Sequence, residues 1–130
     1  MLLADRLMQA QESVEEARIL RRERMGNKNV LAKLYHALMY CLFALLEIRN
    51  IGSLTHADII DRFEKEFVRK GAFDDELLNA VRRAYDLTHE CDCDHMPVPS
   101  DEDINLTLLA VDEFIRSTEH FLQAKNERKL

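Results

Sequence analysis

Five residues in this chain of 130 are glycine or proline: Gly26, Gly52, Gly71, Pro97 and Pro99. Such scarcity lies far below average usage. It excludes sandwich and barrel architectures, which need a turn about every 8–12 residues. Each glycine falls where a helical apolar pattern stops, the position at which a left-handed residue closes a helix. Both prolines share one connection, extended because the residue before proline avoids the helical region. The breakers therefore predict five helices, at about 2–25, 28–50, 56–70, 74–93 and 101–125. Start signals agree, since Asp74 suits the cap of the fourth helix and Ser100 with Asp103 resembles a capping box for the fifth.

Apolar spacing supports each helix. Leu3, Leu7, Ala10, Val14 and Ala17 make one stripe in the first, as do Ile104, Leu108, Val111, Ile115, Thr118 and Leu122 in the fifth. Ile59, Ile60, Phe63 and Phe67 serve the third, and Leu77, Leu78, Val81, Tyr85 and Leu87 the fourth. The second differs, because apolar residues surround it between Leu34 and Leu46. Such a helix must be covered on every side. Neighbouring helices, and a second subunit in a homodimer, would supply that cover. The expected fold is all-α: an antiparallel up-and-down bundle of about five helices, one domain over residues 1–130, with 126–130 a frayed tail.

Val30 to Ile48 approaches the length of a membrane span but carries Lys33, His36 and Glu47, so a buried central helix is expected and no membrane. Met1 to Ala10 contains Asp5 and Arg6 and lacks the apolar run of a signal peptide, which points to the cytoplasm. Cys41, inside the apolar run, reads as a small core residue.

The net charge of −6 argues against a general nucleic-acid coat, whose affinity rests on many cationic contacts to phosphate. The charge is unevenly spread, however. Residues 18–33 hold Arg18, Arg21, Arg22, Arg24, Lys28 and Lys33 against a single acid, Glu23. Arg21, Arg22, Arg24 and Lys28 are candidates for binding RNA or another phosphate; alternatively, they complement the dipole at the end of the first helix. Residues 86–103 hold seven acids and neither lysine nor arginine. Within them His89, Cys91, Cys93 and His95 alternate, bearing side-chain types that zinc and copper prefer. Their spacing is tighter than that of usual zinc sites, so no metal and no other cofactor is expected.

The run Leu34-Tyr35-His36-Ala37-Leu38-Met39-Tyr40-Cys41-Leu42-Phe43-Ala44-Leu45-Leu46 resembles the second helix of HEPN domains (higher eukaryotes and prokaryotes nucleotide-binding). Thr55-His56-Ala57-Asp58-Ile59-Ile60 resembles the opening of the HEPN third helix, and Phe67-Val68-Arg69-Lys70-Gly71 its close. Arg82-Arg83-Ala84-Tyr85-Asp86-Leu87 is similar to the fourth helix. The resemblance spans about residues 28–123. It implies a helical bundle that commonly dimerises. Many members are RNases, often the toxin of a toxin–antitoxin pair with a nucleotidyltransferase antitoxin. Others are non-catalytic partners of such a nucleotidyltransferase.

The resemblance also implies a catalytic signature of Arg, four to six residues, then His, in which His moves a proton and Arg stabilises phosphate charge without metal. Arg82 with His89 satisfies it, as do Arg83 with His89 and Arg49 with His56. Seven residues is almost two turns, so Arg82 and His89 share a helix face roughly 10 Å apart along the axis. Arg82 and His89 are therefore the candidate catalytic pair, with Arg83 and Asp86 supporting. An ordinary solvated face would instead pair Asp86 with both His89 and Arg82. In the subfamily most resembled, the fourth helix ends Arg, two residues, Ala-Asp-Tyr. Asp92 keeps that pattern, while Thr88, Cys91 and Cys93 replace the arginine, alanine and tyrosine.

Overall fold

In a computed structural model, the backbone is described for residues 2–48, 50, 52–89 and 98–128, and side chains for 5–48, 50, 52–88 and 98–125. Helices α1 (Leu2–Arg22), α2 (Asn27–Leu45), α3 (His56–Phe63), α4 (Asp75–His89) and α5 (Asp101–Arg128) account for most of it. A π-helical turn, Glu64–Val68, continues α3. No strand occurs among the described residues.

Cross-helix pairs fix the directions. Arg18 meets Asp112 and Gln11 meets Glu119, so α1 and α5 run oppositely. Glu16 meets Lys33 while Arg6 lies over Tyr40 and Phe43, so α1 and α2 also run oppositely. Asn27 holds Asp101 at one end and Glu47 holds Lys125 at the other, so α2 and α5 run the same way. Tyr35 packs on Tyr85 and Leu31 lies by Leu87 and Thr88, which sets α4 against α2. The four long helices thus alternate in direction, and short α3 rides in the α2-to-α4 crossover.

α2 occupies the centre and contacts α1, α3, α4 and α5. Most of its cover therefore comes from within the chain. His36 and Glu47 are exposed and Tyr40 and Phe43 half-buried, leaving one open strip. Burial pushes the Cys41 thiol up to about 12, which keeps this core residue uncharged. A second core centre joins α3 to α5, where the Phe63, Phe73 and Phe114 rings lie within 5.3–5.7 Å of one another. Phe67 and Phe121 extend it. No described helix is long and apolar enough to cross a membrane.

Two expected boundaries move. α1 ends at Arg22 rather than 25 and α2 at Leu45 rather than 50, because Arg24 (φ 55°) and Glu47 (φ 57°) take the left-handed closing position. Met25 N–H donates to Leu20 and Ile48 N–H to Phe43, the six-to-one closing bonds of this turn. Gly26 (φ 93°) instead occupies the N-cap of α2. Only Gly71 (φ 80°) closes its helix as expected, with Ala72 N–H donating to Phe67. The capping box of α5 forms, Ser100 and Asp103 exchanging bonds of 3.1 Å. α5 also continues to Arg128, through the first part of the expected tail. The fourth helix is described to His89, and its expected extension to 93 lies outside the described residues.

Candidate functional site

α4 begins after Asp74, whose carbonyl accepts from Leu77 and Leu78, and buries Leu77, Leu78, Val81 and Ala84. Beside that buried face runs a stripe of half-buried Arg82 and Tyr85 and exposed Asp86, with backbone position 89 in register with Arg82 at the seven-residue spacing. Against it stands the first half of α3, fixed by a reciprocal capping box between Thr55 and Asp58 at 3.1 Å. Ala57, Ile60 and Asp61 of α3 and Arg82, Tyr85 and Asp86 of α4 line a cavity of about 170 Å³. A basic group, a phenol and carboxylates thus converge on one small concavity.

Arg82 is not paired with Asp86, the partner expected for a solvated face. Its Nη2 donates to Glu64 at 2.7 Å and to Asp61 at 3.4 Å. Asp61 and Glu64 are three residues apart, on the face of α3 that meets α4, so they reach the guanidinium from the side. Glu64 opens the π-helical turn and lies 3.8 Å from Arg69 as well. The charges of Arg82 and Arg69 are balanced locally by these two acids. Arg83 points elsewhere and pairs with Asp103, tying α4 to the cap of α5. That guanidinium, with the Ser100 bonds, holds the Asp103 carboxyl below its ordinary value of 3.8.

Below the α4 stripe sits a second pair. Tyr35, 2% exposed, places its hydroxyl 2.8 Å from Nδ1 of His56, the first residue of α3. Its ring lies 5.6 Å from that imidazole and 6.3 Å from the Tyr85 ring. Burial, and then Tyr85 beside it, raise the Tyr35 phenol far above ordinary tyrosine values, so its hydroxyl stays protonated. His56, paired by spacing with Arg49 in the sequence, is therefore tied to Tyr35 of α2.

The basic segment divides between two faces. Arg18 and Lys33 are consumed by Asp112 and Glu16. Arg21 donates to Asn105 of α5 and lines the α1–α5 groove with Arg22. Lys28 instead lines a small cavity with Leu31, Ala32, Leu87, Thr88 and Pro99, near the last described turn of α4. Arg22, Arg24 and Lys28 are exposed, and none forms an ion pair with a described residue. Of the phosphate-binding candidates, Lys28 lies on the Leu87–Thr88 side of α4, Arg24 stands on the turn between α1 and α2, and Arg21 and Arg22 lie on the α1–α5 side.

The His89 side chain, Cys91, Cys93 and His95 lie outside the described residues. Among those described, no group of three or more His, Cys, Asp or Glu could hold a metal ion. The acids on Arg82 were not read from the sequence. Their signal is the Asp61–Glu64 spacing, which gains meaning only once α3 and α4 are rotated toward each other.

No protein-family model matches the chain, and no solved structure matches it. It is 27% identical over 96 residues to a Methanocaldococcus jannaschii protein named "Putative toxin MJ0142", a match covering 74% of this chain and 65% of that protein. The chain thus spans just under two thirds of that relative. It is 28% identical over 116 residues to a Thermotoga maritima protein named "UPF0332 protein", covering 88% of this chain and 81% of the relative.

Proposed function

We propose that the chain is an HEPN-type protein acting as a toxin-like RNase through the outward face of α4. The carrying observation is the meeting of Arg82, Tyr85 and Asp86 of α4 with Asp61 of α3 at one small cavity, with backbone position 89 in register with Arg82 along the helix. The toxin name of the archaeal relative and the HEPN-type character of UPF0332 proteins support the same reading. In this mechanism His89 takes the proton from a ribose 2′-hydroxyl as that oxygen bonds to phosphorus. The bond from phosphorus to the 5′-oxygen breaks, and the departing oxygen collects a proton. The products are a 2′,3′-cyclic phosphate and a 5′-hydroxyl. Arg82 stabilises the charge that builds on the phosphate oxygens. The proposed chemistry requires no metal, because imidazole and guanidinium supply both the proton transfer and the charge stabilisation.

The proposal includes one domain, a cytoplasmic location and a homodimer formed along the open strip of α2, where Tyr40 and Phe43 are half-buried. It also includes a nucleotidyltransferase as antitoxin partner. Purified protein in chelator should cleave labelled single-stranded RNA, and Arg82→Ala and His89→Ala should each lower the rate about 100-fold or more. Undiminished cleavage by both variants would reject the assignment. A second reading, a non-catalytic HEPN partner of a nucleotidyltransferase, is favoured by the two carboxylates that compensate Arg82. It expects co-purification with such an enzyme and no cleavage.

A further inference from the structure

Arg116 of α5 has three acids at spacings that permit pairing on a helix: Asp112 four residues before it, Glu113 three before and Glu119 three after. It pairs with none of them. α1 draws two of these acids across, Asp112 to Arg18 at 3.0 Å and Glu119 to Gln11 at 2.8 Å. Glu113 has no such competitor, yet its carboxylate makes no ion pair or hydrogen bond to a described residue. An unpaired cation and an unpaired anion thus stand about 4.5 Å apart along the axis of one helix.

Both line a concavity of about 480 Å³ with Ala72, Ser117, His120 and Phe121, a size that small ligands occupy. Its apolar part is held by the fold. The half-buried Phe121 ring packs edge-on against Phe67 at 5.3 Å and lies 6.0 Å from Phe73. Ala72 is fixed by the turn at Gly71, where its N–H donates to Phe67. The Ser117 hydroxyl and the His120 imidazole add hydrogen-bonding groups that no described side chain occupies. Charge decides what such a cavity accepts. A phosphate dianion would meet one guanidinium but also the carboxylates of Glu113 and Glu119, which repel it. A ligand that carries ammonium and carboxylate together satisfies Arg116 and Glu113 at once.

We propose that this cavity binds a free α-amino acid with an aromatic side chain. Its carboxylate takes Arg116 and Ser117, its ammonium takes Glu113, and its side chain covers Phe121 and Ala72. The cavity shares no residue with the α3–α4 cavity to which RNA cleavage is assigned, so the two readings stand or fall separately.

Dividing the ligand tests this. The isotope-labelled full chain is titrated with L-phenylalanine, with hydrocinnamate, which lacks the ammonium, with phenethylamine, which lacks the carboxylate, and with inorganic phosphate. Resonances of Arg116, Ser117 and Phe121 should shift and saturate with L-phenylalanine at about millimolar concentration, the range that exposed charges on a small ligand allow. Each half-ligand should bind about three- to fivefold more weakly. Glu113→Gln should abolish the preference for L-phenylalanine over hydrocinnamate while keeping that over phenethylamine, and Arg116→Gln should do the converse. Both side chains are exposed and unpaired, so the variants should keep the parent's thermal unfolding midpoint. Either half-ligand binding as tightly as L-phenylalanine overturns the assignment, as does tighter binding of inorganic phosphate. Preferences unchanged in both variants would place the ligand elsewhere on the chain, and no saturable shift with L-phenylalanine removes the site.

Discussion

Arg24 and Glu47 hold left-handed backbone that glycine adopts without penalty, at the turns closing α1 and α2. A side chain there costs about 1–2 kcal/mol in an L-residue. Arg24→Gly should therefore stabilise the fold by up to about 1 kcal/mol, part of the gain being lost to glycine's greater freedom in the unfolded chain. Urea denaturation reads this directly, and a lower midpoint would show that the Arg24 side chain contributes more than its backbone costs. Three glycines made the helix boundaries legible to within a few residues, but two of them stand beyond the closing turn. The reason is physical: the closing bond requires a backbone position five residues on, and the chain accepted non-glycine residues there. Arg82 illustrates the same limit at the site. Its residue type and helical face could be read from spacing, while its partners Asp61 and Glu64 depended on how α3 rotates against α4.

α5 starts where several local preferences agree, and its opening was legible for that reason. Ser100 and Asp103 satisfy each other's backbone N–H groups, and Arg83 of α4 meets the same carboxylate. Asp103 is held below 3.8, so its folded state binds a proton less readily than the unfolded chain. The stability it adds is complete well above that value and is lost as pH falls through its depressed folded value. Stability measured against pH should show Asp103→Asn separated from the parent at neutral pH, with the gap closing in acid below 3.8. A gap constant down to strong acid would remove the ionised form from the cap. The π-helical turn after α3 had no such local signature. It accompanies an aromatic cluster, in which Phe63 and Phe67 stack at 5.9 Å while Phe114 and Phe121 approach from α5. Phe114 is fully buried between Phe63 and Phe73, so Phe114→Ala should cost about 3–5 kcal/mol in chemical denaturation.

Over the whole molecule, net charge and usable charge diverge. The chain carries −6, yet folding spends its cations selectively. Arg18, Lys33, Arg83 and Lys125 are neutralised by cross-helix acids, whereas Arg22, Arg24 and Lys28 remain solvent-facing near the α1–α2 turn. The sequence showed the cluster but not this sorting, because acids from α5 and the second half of α1 decide which cations are spent. Lys28 lines a cavity with Leu87 and Thr88, so part of the unspent charge lies near the last described turn of α4. A strand crossing from Arg82 toward position 89 would reach that turn, and each phosphate neutralised there would release counterions. For single-stranded nucleic acid, the slope of log affinity against log salt is about −0.7 per phosphate contact. The combined variant Arg22→Gln, Arg24→Gln, Lys28→Gln should therefore flatten the slope for a 2′-O-methyl oligoribonucleotide by about 2 if all three cations engage. Arg22 stands toward the α1–α5 side, so a loss nearer to 1.4 would assign the contacts to Arg24 and Lys28 alone. An unchanged slope, with Arg82→Ala still weakening binding, would confine recognition to the α3–α4 cavity and leave the basic turn as solvated surface.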